Sequence, residues 1–174
     1  MSSYQPPSAS GSPRFCNMGN FMRLPHAENA EGLDFAIVGI PFDTAASFRA
    51  GARFGPNGIR NISAMIKPNN VAMGVNIMDE LKGADLGDVP VIPDYIHETY
   101  AAIENTLTGV LNEGAVPISL GGDHAITLGE LRAIYKKHGR LLLFTLIHTL
   151  ICVIQFLVKS ITTVHHLDVL WRKA

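Results

Sequence analysis

The stretch VPISLGGDH, residues 116–124, carries the main signal for the fold. Its apolar first half predicts a buried strand, and the two glycines predict a sharp turn at the carboxyl end of that strand. The run LDFAIVGI at residues 33–40 has the same character and ends at Pro41, and residues 84–90 predict a third, short strand that passes into a turn. Apolar runs of this kind, bounded by Gly or Pro, are typical of strands in a parallel sheet.

Helical segments separate these strands. Residues 56–66 predict a helix with Pro56 at its first position, and residues 94–113 predict a second one with an apolar face. A third helix is predicted to begin with a capping box formed by Thr127 and Glu130 and to end before Gly139. The alternation of strands and helices predicts the α/β class, with a parallel sheet covered on both faces.

Composition limits the classes of function. The chain has 174 residues, 47% of them apolar, and a formal net charge of −1, which suits one α/β domain and gives no basic field for nucleic acid. Basic residues, Arg60 among them, are interpreted as helical surface. Cys16 and Cys152 lack metal-type spacing and are interpreted as free thiols in a reducing compartment. The polar start lacks a signal-peptide pattern, so we expect the cytoplasm.

The turn Gly121-Gly122-Asp123-His124 is the first candidate site. The glycines allow a ligand to come close to the backbone, and His124 is expected to project from the strand end into a cleft. Asp123 is a candidate to orient the imidazole, because a metal-bound His usually has an oxygen partner. The alternative is that His124 is a structural hydrogen-bonding residue of the turn.

The loop over residues 41–56 is the second candidate. Asp43 is suited to cap a helix, bind a cation or pair with an arginine, and Arg49 and Arg53 are suited to bind a carboxylate or a neighbouring subunit. The competing interpretation is a loop held together by its own Arg–Asp bonds. Asp88 is interpreted as a turn-forming residue.

The last part of the chain has a different pattern. Residues 141–158 are 18 residues without a formal charge, and no Gly or Pro follows Gly139. The run is long enough for a membrane span, but only Arg140 and Lys159 flank it. We therefore favour translated non-coding sequence over a membrane anchor. The predicted division is a disordered arm at 1–14, a domain at 15–140 and an off-pattern apolar tail at 141–174.

Taken together, several strings resemble the ureohydrolase family of arginases and agmatinases. FMRLP at residues 21–25 resembles the agmatinase branch in particular. The other matching strings are AIVGIPFD at 36–43, GARFGPNGIR at 51–60, DLGDVP at 85–90 and ISLGGDHAIT at 118–127. The last of these resembles the family's first metal motif. The resemblance covers residues 14–140 and implies a three-layer α/β/α sandwich, incomplete here because the second half of the family domain is missing.

The resemblance also implies a metal site. It implies two manganese ions bridged by a hydroxide that attacks a guanidinium carbon and releases urea. It makes His124 a manganese ligand and Asp123 a supporting residue. The family's other ligands lie in strings that do not occur here. His166 and Asp168 repeat one His-x-Asp spacing, and we keep both interpretations, a chance echo and retained ligands.

The function implied is manganese-dependent hydrolysis of a guanidino compound, agmatine to putrescine and urea, by a homo-oligomer. We expect this chain to be inactive, because it leaves the family pattern before most of the metal site is built. The alternatives are a non-catalytic fragment or binding module that associates with complete subunits, and a membrane-tethered protein.

Overall fold

The computed structural model describes residues 12–13, 19–44, 46, 49–140 and 143. Three short 3-10 turns lie at Phe21–Arg23, Ala52–Phe54 and His124–Ile126. The strands and helices follow in chain order: β1 (Phe35–Ile40), α1 (Gly55–Ser63), β2 (Asn69–Asn70), β3 (Val75–Asn76), α2 (Ile77–Glu80), β4 (Gly83–Asp88), α3 (Ile96–Asn112), β5 (Val116–Gly121) and α4 (Thr127–His138).

The main sheet has three parallel strands in the order β4-β1-β5. Its central strand β1 pairs in register with β5 from Phe35 opposite Val116 to Ile40 opposite Gly121. Strands β2 and β3 form a separate antiparallel ribbon. The predicted parallel sheet with intervening helices is confirmed.

Both faces of β1 are buried, because its side chains alternate between two apolar clusters. On one face, Ala36, Val38 and Ile40 pack with apolar residues of α3 and α4, including Ile103 and Leu107. The other face carries a cluster of Leu24, Ile37, Met78 and Leu120. Helix α1 covers this second face too, since a Cβ built on Gly39 would lie 2.9 Å from the Arg60 side chain. The described part therefore has helix, sheet and helix layers.

The outer edges of β4 and β5 differ in the chain segments that hydrogen-bond to them. Residues 25–27 lie along the outer edge of β4. The Asp85 amide donates to the Pro25 carbonyl at 3.0 Å, and the Ala27 amide donates to the Asp85 carbonyl at 3.1 Å. Along β5, no strand of the described residues pairs with the outer edge. Val116 and Ile118 of β5 are 61% and 44% exposed.

Helix α1 differs most from the sequence prediction at its carboxyl end. Helix α1 ends at Ser63, before the predicted end at residue 66. The Ser63 hydroxyl donates to the Arg60 carbonyl at 2.6 Å and accepts the Met22 amide at 2.7 Å. A tertiary contact therefore fixes the helix end. Helix α3 lies within its predicted range, and Gly114 follows it with a φ of +88°.

The interpretation of Arg60 as a surface residue was wrong. Its side chain is buried, and its guanidinium contacts Asp85, Asp88 and the Gly87 carbonyl. Burial by itself would lower the pKa of Arg60, but hydrogen bonds to Asp85 and Asp88 outweigh it and raise that pKa. The Asp88 carboxylate binds Arg60 at 2.5 Å, so it joins two elements and does more than form a turn.

Several sequence predictions fall on residues outside the described part: Cys16, Cys152, His166, Asp168 and nearly all of the apolar run at 141–158. Within the described part, no helix combines the length and the apolar character needed to cross a bilayer.

Candidate functional site

The carboxyl ends of β1 and β5 meet at one edge of the sheet. After β5, the Gly122 amide donates to the Ile40 carbonyl at 3.3 Å, and the Asp123 amide donates to the Phe42 carbonyl at 2.8 Å. The loop that holds Asp43 and the turn that holds His124 therefore lie side by side. Open α/β sheets bind their ligands at this end of the strands.

The two glycines of the turn are required by close backbone packing. A Cβ on Gly122 would lie 2.2 Å from the Phe42 carbonyl oxygen and 2.7 Å from that of Ile40. The Gly121 carbonyl faces the start of α1, where a Cβ on Gly55 would come within 2.6 Å of its oxygen. Glycines at these positions let three chain segments approach one another beneath the candidate site.

His124 is exposed and begins the 3-10 turn that leads into α4. Its Nδ1 lies 3.0 Å from the Thr127 hydroxyl. The Asp123 carboxylate accepts the Ala125 amide at 2.8 Å and so caps this turn. The predicted capping box was wrong: Thr127 caps no helix, because the backbone is already helical at Ile126 and the Thr127 hydroxyl contacts His124 instead.

Asp43 organises the loop after β1. Its buried carboxylate accepts bonds from the Arg53 Nε at 2.6 Å, the Gly51 amide at 2.6 Å and the Arg53 amide at 3.2 Å. The hydrogen bond from the Arg53 side chain is the main reason that the pKa of Asp43 falls from 3.8 to about 2. Of the alternatives left open by the sequence, the structure shows the pair with an arginine.

The structure separates the three substrate-loop candidates. Asp43 and Arg53 are bound to each other, whereas Arg49 lies exposed in the same loop. His124 and Asp123 lie beside this loop through the backbone bond from Asp123 to Phe42.

A site for two manganese ions does not fit the described residues. Among them, no three His, Cys, Asp or Glu side chains come together in a way that could hold a metal ion. Asp43 is already bound to Arg53, and Asp123 caps the turn that begins with His124. Of the metal ligands that the resemblance implies, His124 is the one that lies among the described residues, and it is exposed.

Comparison with known proteins identifies the family. The model of the arginase family matches residues 33–156, which include both candidate loops. The chain belongs to the arginase family. The match extends beyond Arg140 into the apolar run, while the predicted division of the chain at that residue stays a prediction.

Two relatives of this arginase-family chain carry the names of enzymes that act on guanidino compounds. A guanidinobutyrase from Pseudomonas aeruginosa is 44% identical over 140 residues, which cover 79% of this chain and 44% of that protein. A mitochondrial agmatinase from Gallus gallus is 42% identical over 134 residues, 77% of this chain and 39% of that protein. The chain spans less than half the length of either relative.

The solved structure of proclavaminate amidino hydrolase from Streptomyces clavuligerus shares the fold. Its TM-score is 0.71 at 35% identity, and the match covers 75% of this chain and 43% of that one. The arginase-family fold thus extends through most of the described sheet and helices.

Sequence reasoning missed Thr127 as a partner of His124. The signal was present, because residues three apart lie on one side of a helical turn. The capping-box pattern competed for the same hydroxyl.

Proposed function

We propose that this chain is the amino-terminal part of a hydrolase of guanidino compounds that releases urea. Agmatine, converted to putrescine, is the first candidate substrate. The observation that carries the proposal is the identity of 44% to a guanidinobutyrase over 140 residues and of 42% to an agmatinase over 134 residues. Guanidinobutyrate is the second candidate, favoured by the first of these relatives.

In this proposal His124 is a ligand of manganese, the metal that the family resemblance implies. The neutral imidazole of histidine is the commonest metal ligand among protein side chains. Asp123 supports His124 by capping its turn, and Gly121 and Gly122 let that turn pack against β1. The Asp43–Arg53 pair shapes the neighbouring loop, and Arg49 of the same loop is a further substrate-loop candidate.

The 174-residue chain by itself is proposed to be inactive. A dinuclear centre needs more donors than one imidazole, and the described residues hold no cluster of three suitable side chains. The direct measurement is urea release by the purified chain with manganese and agmatine or guanidinobutyrate. Urea production that depends on manganese would contradict this part of the proposal.

A chimera tests the contribution of the chain to catalysis. In the Pseudomonas guanidinobutyrase, the segment that matches residues 19–140 is replaced by those residues. We expect manganese-dependent urea release from the chimera, measured with both substrates, because the fold and the motif containing His124 are shared. A folded chimera without activity would argue against the proposal.

Two variants sharpen this test. His124→Ala in the chimera should lower kcat/KM by more than the about 10- to 100-fold that loss of an outer partner of a metal ligand costs. His138→Ala is the matched control, because this exposed histidine lies at the far end of α4. If the large chimera misfolds, a smaller graft of residues 116–127 carries the same motif and the same comparison.

A further inference from the structure

The carboxylate of Asp43 closes the loop that follows β1. It accepts hydrogen bonds from the Gly51 amide at 2.6 Å and from the Arg53 amide at 3.2 Å, and it forms an ion pair with the Arg53 side chain. The chain therefore leaves Asp43, runs through the loop and returns to the same side chain. Gly51 suits this closure, because its φ of +141° is a conformation that residues with a side chain rarely adopt.

Asp43 is placed to act on the loop and not directly on a ligand. The residue is only 2% exposed, whereas the Arg53 side chain is 42% exposed. A small molecule at the ends of the strands contacts the surface of the loop, and Asp43 lies beneath that surface. An effect of Asp43 on such a molecule therefore passes through the residues that its carboxylate holds.

The loop after β4 is attached to the same structure. The Asp94 amide donates to the Thr44 hydroxyl at 3.4 Å. Hydrogen bonding to Asp43 is the main reason that the pKa of Arg53 is raised, and the charge of Asp94 adds to that rise. The loops that follow two neighbouring strands are thus held close to the Asp43–Arg53 pair.

The turn after β5 is held to β1 by different bonds. The Gly122 amide donates to the Ile40 carbonyl, and the Asp123 amide donates to the Phe42 carbonyl. Neither of these backbone bonds uses the Asp43 carboxylate. The loop and the turn lie side by side, but a change at the Asp43 side chain acts on the loop alone.

We propose that Asp43 is a positioning residue for the substrate, an inference that rests on the proposed hydrolase function. Its carboxylate fixes the loop after β1 in the conformation that contacts a guanidino compound bound beside the turn of His124. Groups that are already fixed in place bind a ligand more tightly than groups that must first be ordered. Loss of the carboxylate should therefore weaken substrate binding. The rate of the bound complex should change little, because the turn of His124 keeps its backbone bonds to β1.

Steady-state kinetics of the guanidinobutyrase chimera test this inference. Asp43→Asn keeps the shape of the side chain and removes the charge that pairs with Arg53. We expect KM for guanidinobutyrate and for agmatine to rise about 10-fold, while kcat changes by less than about threefold. Asp34→Asn is the matched control, because its carboxylate also accepts a backbone amide, that of Lys82, but at the opposite end of β1. Its KM and kcat should equal those of the parent chimera.

A double-mutant cycle shows whether Asp43 acts through Arg53. Arg53→Gln breaks the same ion pair at a half-exposed side chain, and it replaces Asp43→Asn in the kinetic test if that variant does not fold. If the two residues act as one unit, the double variant should raise KM no further than the more affected single variant. Effects on KM that multiply would overturn the inference.

Amide hydrogen exchange in the full 174-residue chain tests the geometry without catalysis. In Asp43→Asn, the amides of Gly51 and Arg53 should exchange at least about tenfold faster, because they lose a charged acceptor. The amides of Gly122 and Asp123 should keep their exchange rates. Equal acceleration of all four amides would show that the carboxylate supports the whole edge, which contradicts the inference. Circular dichroism checks that the variant is folded.

The outcomes separate this inference from the proposed function. A folded parent chimera without activity overturns the proposed function, and this inference with it. An active parent whose Asp43→Asn variant has the same KM as the Asp34→Asn control overturns this inference alone. A variant that loses kcat at unchanged KM shows that Asp43 acts on the turn of His124, and it overturns the inference as well.

Discussion

Arg60 and Asp85 form a two-point ion pair in the interior of the domain. The Nε and Nη2 atoms of Arg60 donate to the two carboxylate oxygens of Asp85, at 2.8 and 2.9 Å. The same carboxylate accepts the Phe21 amide at 2.8 Å and the Gly87 amide at 2.9 Å. This pair therefore joins α1, β4 and the segment that precedes β1.

Replacing Arg60 with alanine should destabilise the domain strongly. The change leaves the Asp85 carboxylate buried without its cation, and loss of one partner of a buried pair costs about 3–5 kcal/mol. Urea denaturation followed by circular dichroism measures the free energy of unfolding. Lys136→Ala is the control, because its pair with Glu104 is exposed at 3.5 Å and contributes about 0–1 kcal/mol. Equal losses in the two variants would contradict the buried role of Arg60.

The loop held by Asp43 should lose its order in acid. The pKa of Asp43 is lowered to about 2 in the folded chain from 3.8, so its ion pair with Arg53 is fully stabilising above pH 3.8. That contribution is lost as the pH falls through about 2. A carbon-13 NMR titration of the Asp43 carboxyl group measures this midpoint. Arg53→Gln should move the midpoint up toward 3.8, and a midpoint already at 3.8 in the unmodified chain would refute the assignment.

Gly122→Ala should be poorly tolerated. The added methyl group would lie 2.2 Å from the Phe42 carbonyl oxygen, and neither backbone segment can move without breaking the contact between β1 and β5. We expect a loss of at least about 1–3 kcal/mol in the free energy of unfolding. Gly109→Ala is the matched control, since this exposed position in α3 has open space and should gain about 0.5–1 kcal/mol. Similar stabilities for the two variants would count against the packing argument.

Thr127→Val should weaken the proposed metal site without unfolding the chain. The change removes the hydroxyl 3.0 Å from the His124 Nδ1 and keeps the volume of the side chain. In the guanidinobutyrase chimera, we expect about 10-fold more manganese for half-maximal urea release. Thr127→Ser keeps the hydroxyl and should behave like the parent. Identical manganese requirements in all three proteins would show that this contact does not orient His124.

Local pattern was sufficient to predict much of the fold. The apolar runs around Ile37 and Ile118 correspond to β1 and β5, and the spacing of Ile103 and Leu107 corresponds to the buried side of α3. Such periodicity is a property of neighbouring residues, so a single sequence contains it. The position of His124 after a strand end followed from the same reasoning.

Contacts between distant segments were not predictable in the same way. Arg60 looked like a surface residue, because its burial depends on Asp85 from another strand and on the absence of a side chain at Gly39. The β2–β3 ribbon was missed, since two-residue strands are too short to show a period.

The sequence by itself determined the class of fold, the order of the main strands and helices and the family that the motifs indicate. Only the tertiary structure decided how Asp43 is used, that Arg60 is buried and which residue contacts His124. The physical reason is that periodicity and turn residues act within a few positions of the chain. Ion pairs, backbone packing at Gly122 and strand neighbours depend on segments that meet only when the chain folds.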